Sequence, residues 1–416
     1  MDFNKNSTNP SIWKFSPFLP RFKTTYSLIE GSTPLVQLKN TPNLKGLNVK
    51  LEFRNPTGSF RDRASALIVS HAKMVGAEKI MGANTGSYGI SLASYCAMAN
   101  LKCANVVPQN IELSKIEQLK IFNSEIIEKG DSLDKAMEYA ENMEREKNVY
   151  YPFPKSNILT IEGQKTIGIE VASVLGDQVE SIIIPQGSGS LILSIHKGLE
   201  DALESGLITE SPKIYSVSLK RDTSQSYLVE SLEQSTSDLK LLDRVSKIVE
   251  ESGGEQIEIG PGEMLDDAME LAKMEGHFIE PASSSVISAV KYLKKEKNLN
   301  IKKSVAILSG SGLNALNIFA SKMRKVKKAV WGLAPRSTRK FEILNLIAEN
   351  QANNGSEIWK ALGKKKSRQS IYQHLAELEA KGLIVSQMKT KKAKKYSLTR
   401  KGFEALDTMR DLIDLL

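Results

Sequence analysis

The chain has 416 residues, 41% hydrophobic and 25% charged, a profile that excludes disorder and collagen-like repeats and allows two or three globular cores. It contains no apolar run of about 18 residues, no charged-then-apolar secretion signal in MDFNKNSTNP, and only two cysteines, Cys96 and Cys103, without a CxxC pair. A cytoplasmic chain with no membrane span, disulfide framework or metal site is therefore expected. The formal charge of +9 is unevenly placed: residues 331–416 hold 17 basic and 9 acidic side chains, a net of +8, against +1 for residues 1–330. A neutral body with a small basic module implies two jobs, with a polyanion as the partner of the second.

Between residues 75 and 320, short apolar runs alternate with Gly/Ser/Pro turns and amphipathic stretches. They read KIMGANTG from Lys79, CANVVPQN from Cys103, SEIIEKGDS from Ser124, SIIIPQGSGS from Ser181, KIYSVSLK from Lys213 and SVAILSGSG from Ser304. The alternation predicts α/β architecture with parallel sheets wrapped by helices, whose ligands sit at the carboxyl ends of strands. Three turns there are candidates. Gly187, Ser188, Gly189 and Ser190 precede a helical stretch and resemble a phosphate cradle, because glycine lets backbone N–H groups approach an anion at a helix start. A tight strand-to-helix turn would explain the same residues. Thr85, Gly86 and Ser87, and Ser309 after the last run, offer hydroxyls over a ligand, or simply cap the helices that follow.

The segment Glu52-Phe53-Arg54-Asn55-Pro56-Thr57-Gly58-Ser59-Phe60-Arg61-Asp62-Arg63 is more specific. It resembles threonine synthase and its relatives among the fold-type II pyridoxal-phosphate enzymes, whose motif reads NPTGSFKDR. Further matches follow in family order: Trp13, Leu19-Pro20, Gly31-Ser32-Thr33-Pro34-Leu35, Thr85-Gly86, Gly187 to Ser190, Glu280-Pro281-Ala282-Ser283-Ser284 and Ser309-Gly310. The resemblance covers about residues 12–320. It implies a two-lobed parallel-sheet domain, a cofactor-phosphate loop at Gly187–Ser190, and a partner for the pyridine nitrogen at Ser309. It also implies that the lysine joining the cofactor aldehyde is replaced here by Arg61, and residues 51–72 contain no lysine.

A guanidinium stays protonated and cannot form an exchangeable imine, so no catalytic residue is assigned. The resemblance also implies an asparagine or aspartate where Ser87 stands and a small residue where Tyr88 stands. Arg61 then has three readings: an incidental surface change, a structural pair with Asp62 or another acid, or a bidentate clamp on a carboxylate or phosphate. The third is favoured, because the cradle is retained while the amine is gone. Candidate ligands are an amino acid, a phosphorylated amino acid such as O-phosphohomoserine, or pyridoxal phosphate held without a covalent bond; the pocket taking no cofactor is the alternative.

Lys322, Arg324, Lys325, Lys327 and Lys328 close the large domain, residues 1–328, and a basic linker is expected over 329–336. Residues 337–416 then read as an α+β winged helix-turn-helix. The first helix carries Phe341, Leu344 and Ile347, the second runs from Ser356 to Gly363, and the third, capped by Ser367, buries Ile371, Leu375 and Leu378. A hairpin follows with Lys389, Lys391, Lys392, Lys394 and Lys395 in and beside its loop, and a last helix starts near Lys401. The string Tyr396-Ser397-Leu398-Thr399-Arg400-Lys401-Gly402 resembles the strand-to-helix junction of archaeal and bacterial winged-helix regulators. In such a module Arg368, Gln369, Tyr372 and Gln373 face the major groove, and the wing lysines neutralise phosphates. A protein-binding winged helix with a merely solvated lysine loop is the alternative. The last helix spaces Phe403, Leu406, Met409, Ile413 and Leu416 near a heptad, which fits either its own module or the seam of a homodimer.

The leading expectation is a ligand-responsive transcription regulator built on a threonine synthase-like domain without catalysis. Its partners are DNA and a small metabolite. A working pyridoxal-phosphate lyase with an accessory DNA-binding domain is the alternative.

Overall fold

The computed structural model describes residues 9–109, 111, 113–147, 149–152, 157–220, 232, 239–319, 335–349, 352–363, 367–390 and 393–414. The chain divides into two compact units, residues 1–315 and 316–416. The basic run Lys322–Lys328 and most of the expected linker, 329–334, lie outside the described residues.

The first unit carries strands β1 (Leu35–Gln37), β2 (Asn48–Lys50), β3 (Lys79–Ala83), β4 (Lys102–Val107), β5 (Glu125–Glu128), β6 (Ser181–Pro185), β7 (Lys213–Leu219), β8 (Gln256–Ile259) and β9 (Ser304–Ile307). Its helices are α1 (Asp62–Met74), α2 (Ser87–Met98), α3 (Leu113–Ile121), α4 (Leu133–Lys147), α5 (Ile158–Gln164), α6 (Thr166–Leu175), α7 (Ser190–Glu204), α8 (Leu239–Glu251), α9 (Pro261–Glu275) and α10 (Pro281–Lys297). A six-stranded sheet runs β1-β2-β9-β6-β7-β8, and a three-stranded sheet runs β3-β4-β5. All neighbours pair in parallel except β1 with β2.

Each sheet makes one lobe. Every residue of β6 is buried, as a strand covered by helices on both faces requires. The large-lobe core gathers Ile182, Ile184, Ile192, Ile195, Val305 and Ile307, and the small-lobe core gathers Ile68, Leu92, Tyr95 and Cys96. Strand ends are placed in register: Ile183 of β6 lies beside Ala306 of β9, so the cradle after β6 and Ser309 after β9 leave the sheet as neighbours.

The two lobes are joined by a buried set of charges. Arg63, fully buried, donates to both carboxylate oxygens of Glu52 at 2.8 Å each and to Glu170 at 2.8 and 2.9 Å. It also donates to the Thr166 hydroxyl at 2.9 Å. Lys50 Nζ donates to Glu170 Oε2 and to the Thr33 carbonyl, both at 2.6 Å. Burial alone would push both carboxyls up, but Arg63 and then Lys50 outweigh it and hold Glu52 and Glu170 below the ordinary range.

The second unit contains α11 (Pro335–Ala348), α12 (Gly355–Ala361), α13 (Arg368–Ala380), β10 (Ile384–Thr390), β11 (Ala393–Leu398) and α14 (Arg400–Asp414). Three helices, an antiparallel hairpin and a last helix form a winged helix. Ile343, Leu344, Ile347, Ile358, Ile371, Leu375, Leu378 and Tyr396 make its core. Ser367 caps α13 through its hydroxyl, which accepts from Ser370 N at 3.3 Å. Leu406 of α14 is buried in the same core while Phe403 is 46% exposed. The side chains of Met409 and Ile413, and Leu416 altogether, lie outside the described ones.

Replacing Arg63 by Met leaves two buried carboxylates with one lysine between them. The loss from breaking such a set is about 3–5 kcal/mol, so urea unfolding of Arg63→Met should show a much lower midpoint than the parent chain. An unchanged midpoint would show that the set does not hold the lobes.

Candidate functional site

The motif Glu52 to Arg63 is pinned to the end of β9. Phe53 N donates to Leu308 O at 3.1 Å, Phe60 N to Ser309 O at 3.2 Å, and Ser311 N to Gly58 O at 2.8 Å. This loop delivers Arg61 to the head of α1, where its backbone N–H donates to Ser59 Oγ at 3.3 Å. The guanidinium stacks on Phe60, 5.0 Å from the ring centroid. It does not pair with Asp62; the acid whose charge acts on it is Glu280. The Asp62 carboxylate instead accepts from Thr57 N at 2.7 Å, from the Thr57 hydroxyl at 2.6 Å and from the Ser91 hydroxyl at 2.6 Å. Burial raises Asp62 to about 6 against these bonds. Burial also lowers Arg61 from its ordinary value, with Glu280 and then Tyr88 acting in opposition.

Glu280 stands at the head of α10, with its carboxylate against Gly310. A Cβ at Gly310 would fall 2.3 Å from Glu280 Oε1, so a side chain there would displace the carboxylate. Burial raises Glu280 to about 6, opposed by Lys115 and then Arg61. Lys115 of α3 is the group the sequence did not disclose. Its Cδ and Cε lie 3.0 Å, and its Nζ 3.3 Å, from where a Cβ on Gly86 would sit. Position 115 has no motif of its own, and only the fold brings it beside the turn after β3.

In that turn, Asn84 is structural: its side chain donates to Asn105 Oδ1 at 2.6 Å and accepts from Gly86 N at 3.1 Å. Thr85 and Ser87 are half-buried, while Tyr88 is buried in the small-lobe core and donates to Pro152 O at 3.2 Å. The cradle begins at the end of β6. Gly187 and Ser188 are half-exposed, Gly189 is left-handed (φ 91°), and Ser190 starts α7. A side chain at Gly189 would be strained and would meet Val245 at 2.8 Å. The Ser188 hydroxyl donates to Ser190 Oγ at 3.3 Å. Beside the cradle, Gln164 Nε2 and Gln186 Oε1 are buried without a partner among the described residues, although such groups are ordinarily paired. Ser309 is buried, and its carbonyl is the acceptor for Phe60 N. Among the described residues no group of metal-ligating side chains occurs.

In the second unit Arg368, Gln369, Tyr372 and Gln373 form one exposed face of α13. Gln373 donates to Glu377 at 3.4 Å. Lys394 and Lys395 are exposed on β11, with Lys394 3.8 Å from Glu379. Lys389 sits where the register of β10 shifts, its side chain outside the described ones, and Lys391 and Lys392 lie outside the described residues.

Residues 26–310 match the Pyridoxal-phosphate dependent enzyme family, and residues 343–408 match the Transcriptional regulator PadR-like family. The threonine synthase of Methanocaldococcus jannaschii is 30% identical over 332 residues, covering 73% of this chain and 80% of its own. That of Bacillus sp. is 31% identical over 324 residues, covering 74% and 91%. Maize serine racemase superposes with a TM-score of 0.58 at 16% identity, covering 71% of this chain and 92% of its own. O-ureido-L-serine synthase gives 0.58 at 15%, covering 70% and 93%. These two share the fold.

Glu280 titrates near 6 when folded against its ordinary 4.5, so its contribution to stability is full below about 4.5 and is lost as pH rises through about 6. Glu280→Gln cannot ionise. Its melting temperature should therefore gain on the parent's between pH 4.5 and 7; parallel profiles would contradict the assigned environment.

Proposed function

The chain belongs to the pyridoxal-phosphate dependent enzyme family and carries a PadR-like winged-helix regulator domain, and from that premise we propose a DNA-binding regulator whose enzyme-like unit binds a metabolite without turning it over. The observation that carries this reading is Arg61 at the head of α1, where the resemblance implies the lysine, in a chain that keeps the glycine–serine turn at the start of α7. A guanidinium stays charged, donates in a planar fork and cannot act as an exchangeable amine. Arg61 therefore clamps an anion where the resemblance expects covalent chemistry.

The residues fit the phosphate end of pyridoxal phosphate. The left-handed Gly189, the free N–H groups at the start of α7 and the hydroxyls of Ser188 and Ser190 would hold it. Gln164 Nε2 is a further buried donor without a partner among the described residues. When joined to an enzyme amine, that cofactor supplies an electron sink for a bound amino acid. Here Thr85, Ser87, Arg61 and Ser309 position and neutralise the ligand, and Glu280 receives positive charge. The ligand class is an amino acid, a phosphorylated metabolite or a pyridoxal-phosphate-type molecule. In the second unit, α13 reads a major groove and the wing lysines screen phosphates. The chain acts as a cytoplasmic homodimer, since a winged-helix regulator reads paired half-sites. The reading of a working lyase needs an amine at the aldehyde.

An absorbance spectrum and a melting curve with and without added pyridoxal phosphate separate the two. The regulator reading predicts a raised melting temperature, worth about 2.7 kcal/mol at 100 times Kd, with no lysine adduct fixed by borohydride. A fixed adduct with threonine formed from O-phosphohomoserine would overturn it. Arg61→Lys alone should leave that turnover undetectable, because Ser87 and Tyr88 also differ from what the resemblance implies.

A further inference from the structure

The outward face of α13 is held from behind by α12. Arg368 opens α13, and its guanidinium carbon lies 4.5 Å from the centroid of the Trp359 ring. One turn further on, the Tyr372 ring lies across Gly355. A Cβ on Gly355 would fall 2.4 Å from Tyr372 Cε1, 2.6 Å from Cζ and 2.9 Å from the hydroxyl oxygen. The four residues form two i, i+4 pairs, Gly355 with Trp359 on α12 and Arg368 with Tyr372 on α13, meeting partner to partner. Each pair occupies one helix face.

The consequence is unusual for an exposed surface. Arg368 is exposed and Tyr372 is 48% exposed, yet both side chains are seated. A long arginine on an open helix start ordinarily samples many rotamers, and ordering it on DNA costs affinity. Stacking on an indole favours the arginine orientation before binding. Asn354 secures the template, since its side chain caps α12 by accepting from Ser356 N at 3.2 Å and Glu357 N at 2.9 Å.

Resting on the DNA-binding reading above, we propose that Trp359 and Gly355 are positioning residues that hold Arg368 and Tyr372 as a two-point reader of base sequence. Neither template residue touches DNA. Four residues of helix advance about 6 Å, close to two base-pair steps of about 3.4 Å. The two reading points therefore fall within about two base pairs of each other. Arg368 offers a planar fork for a purine edge, guanine above all, and Tyr372 offers a ring and a hydroxyl.

The test selects a DNA site with the full chain from a random duplex library, then measures binding to every single-base variant of that site. Trp359→Leu should lose about tenfold or more of its preference at one base pair, the same one that Arg368→Ala loses. The double variant should be no worse than Arg368→Ala, and Trp359→Phe should restore the preference. Gly355→Ala should lose preference at a second position within about two base pairs of the first, shared with Tyr372→Leu. Affinity for a non-cognate duplex and its salt dependence should stay as in the parent for Trp359→Leu and Gly355→Ala. If Trp359→Leu keeps the parent's full sequence preference, or weakens all positions alike with a lowered melting temperature, the positioning role is wrong. If the parent enriches no sequence, the DNA-binding reading itself fails and carries this inference with it.

Discussion

The site depends on Arg63. Its guanidinium satisfies Glu52 at one end of the motif and Glu170 of α6 at the other, with Lys50 completing the charge balance. Such a set contributes little net stability over an apolar replacement, but losing one member is costly. Its effect is geometric: it fixes where the loop Glu52 to Arg63 enters α1, and so where Arg61 stands relative to the end of β9. The neighbouring Asp62 is consumed in the same way, by Thr57 and Ser91. With Asp62 committed to Thr57 and Ser91, the acid that acts on Arg61 is Glu280.

The pocket has an uneven charge pattern. Arg61 and Lys115 act on Glu280 from two elements, and Glu280 is lifted toward neutrality by its burial. Ser87 and Tyr88 depart from what the resemblance implies, and Arg61 puts a guanidinium where the resemblance implies an amine. That exchange preserves the charge and removes the nucleophile.

Much of this was legible in the residues. The six apolar runs became β3 to β7 and β9, and β6 and β9 are buried throughout, as strands covered on both faces are. The strand β8 was missed, because Gln256-Ile-Glu-Ile259 alternates burial and carries no apolar run. The short edge pair β1 and β2 was missed for lack of length. The motif at Arg61 could be read through its family resemblance, and the cradle through the left-handed backbone that Gly189 takes. Lys115 and Glu280 could not be assigned roles, since they meet only through the packing of α3 and α10 around the turn after β3. In the winged helix, caps and spacing gave α13 directly, whereas the seating of Arg368 on Trp359 needed the angle between two helices.

A metabolite regulates DNA binding only if it binds two arrangements of the chain with different affinity, and the coupling is then reciprocal. The most direct measurement is the Kd of the full chain for its selected DNA duplex with and without saturating pyridoxal phosphate, at fixed salt. The account predicts a change of at least several-fold, in either direction, accompanied by the reciprocal change in ligand affinity. An identical Kd in a sample whose melting temperature shows the pocket to be filled would contradict the claim that the enzyme-like unit is a sensor.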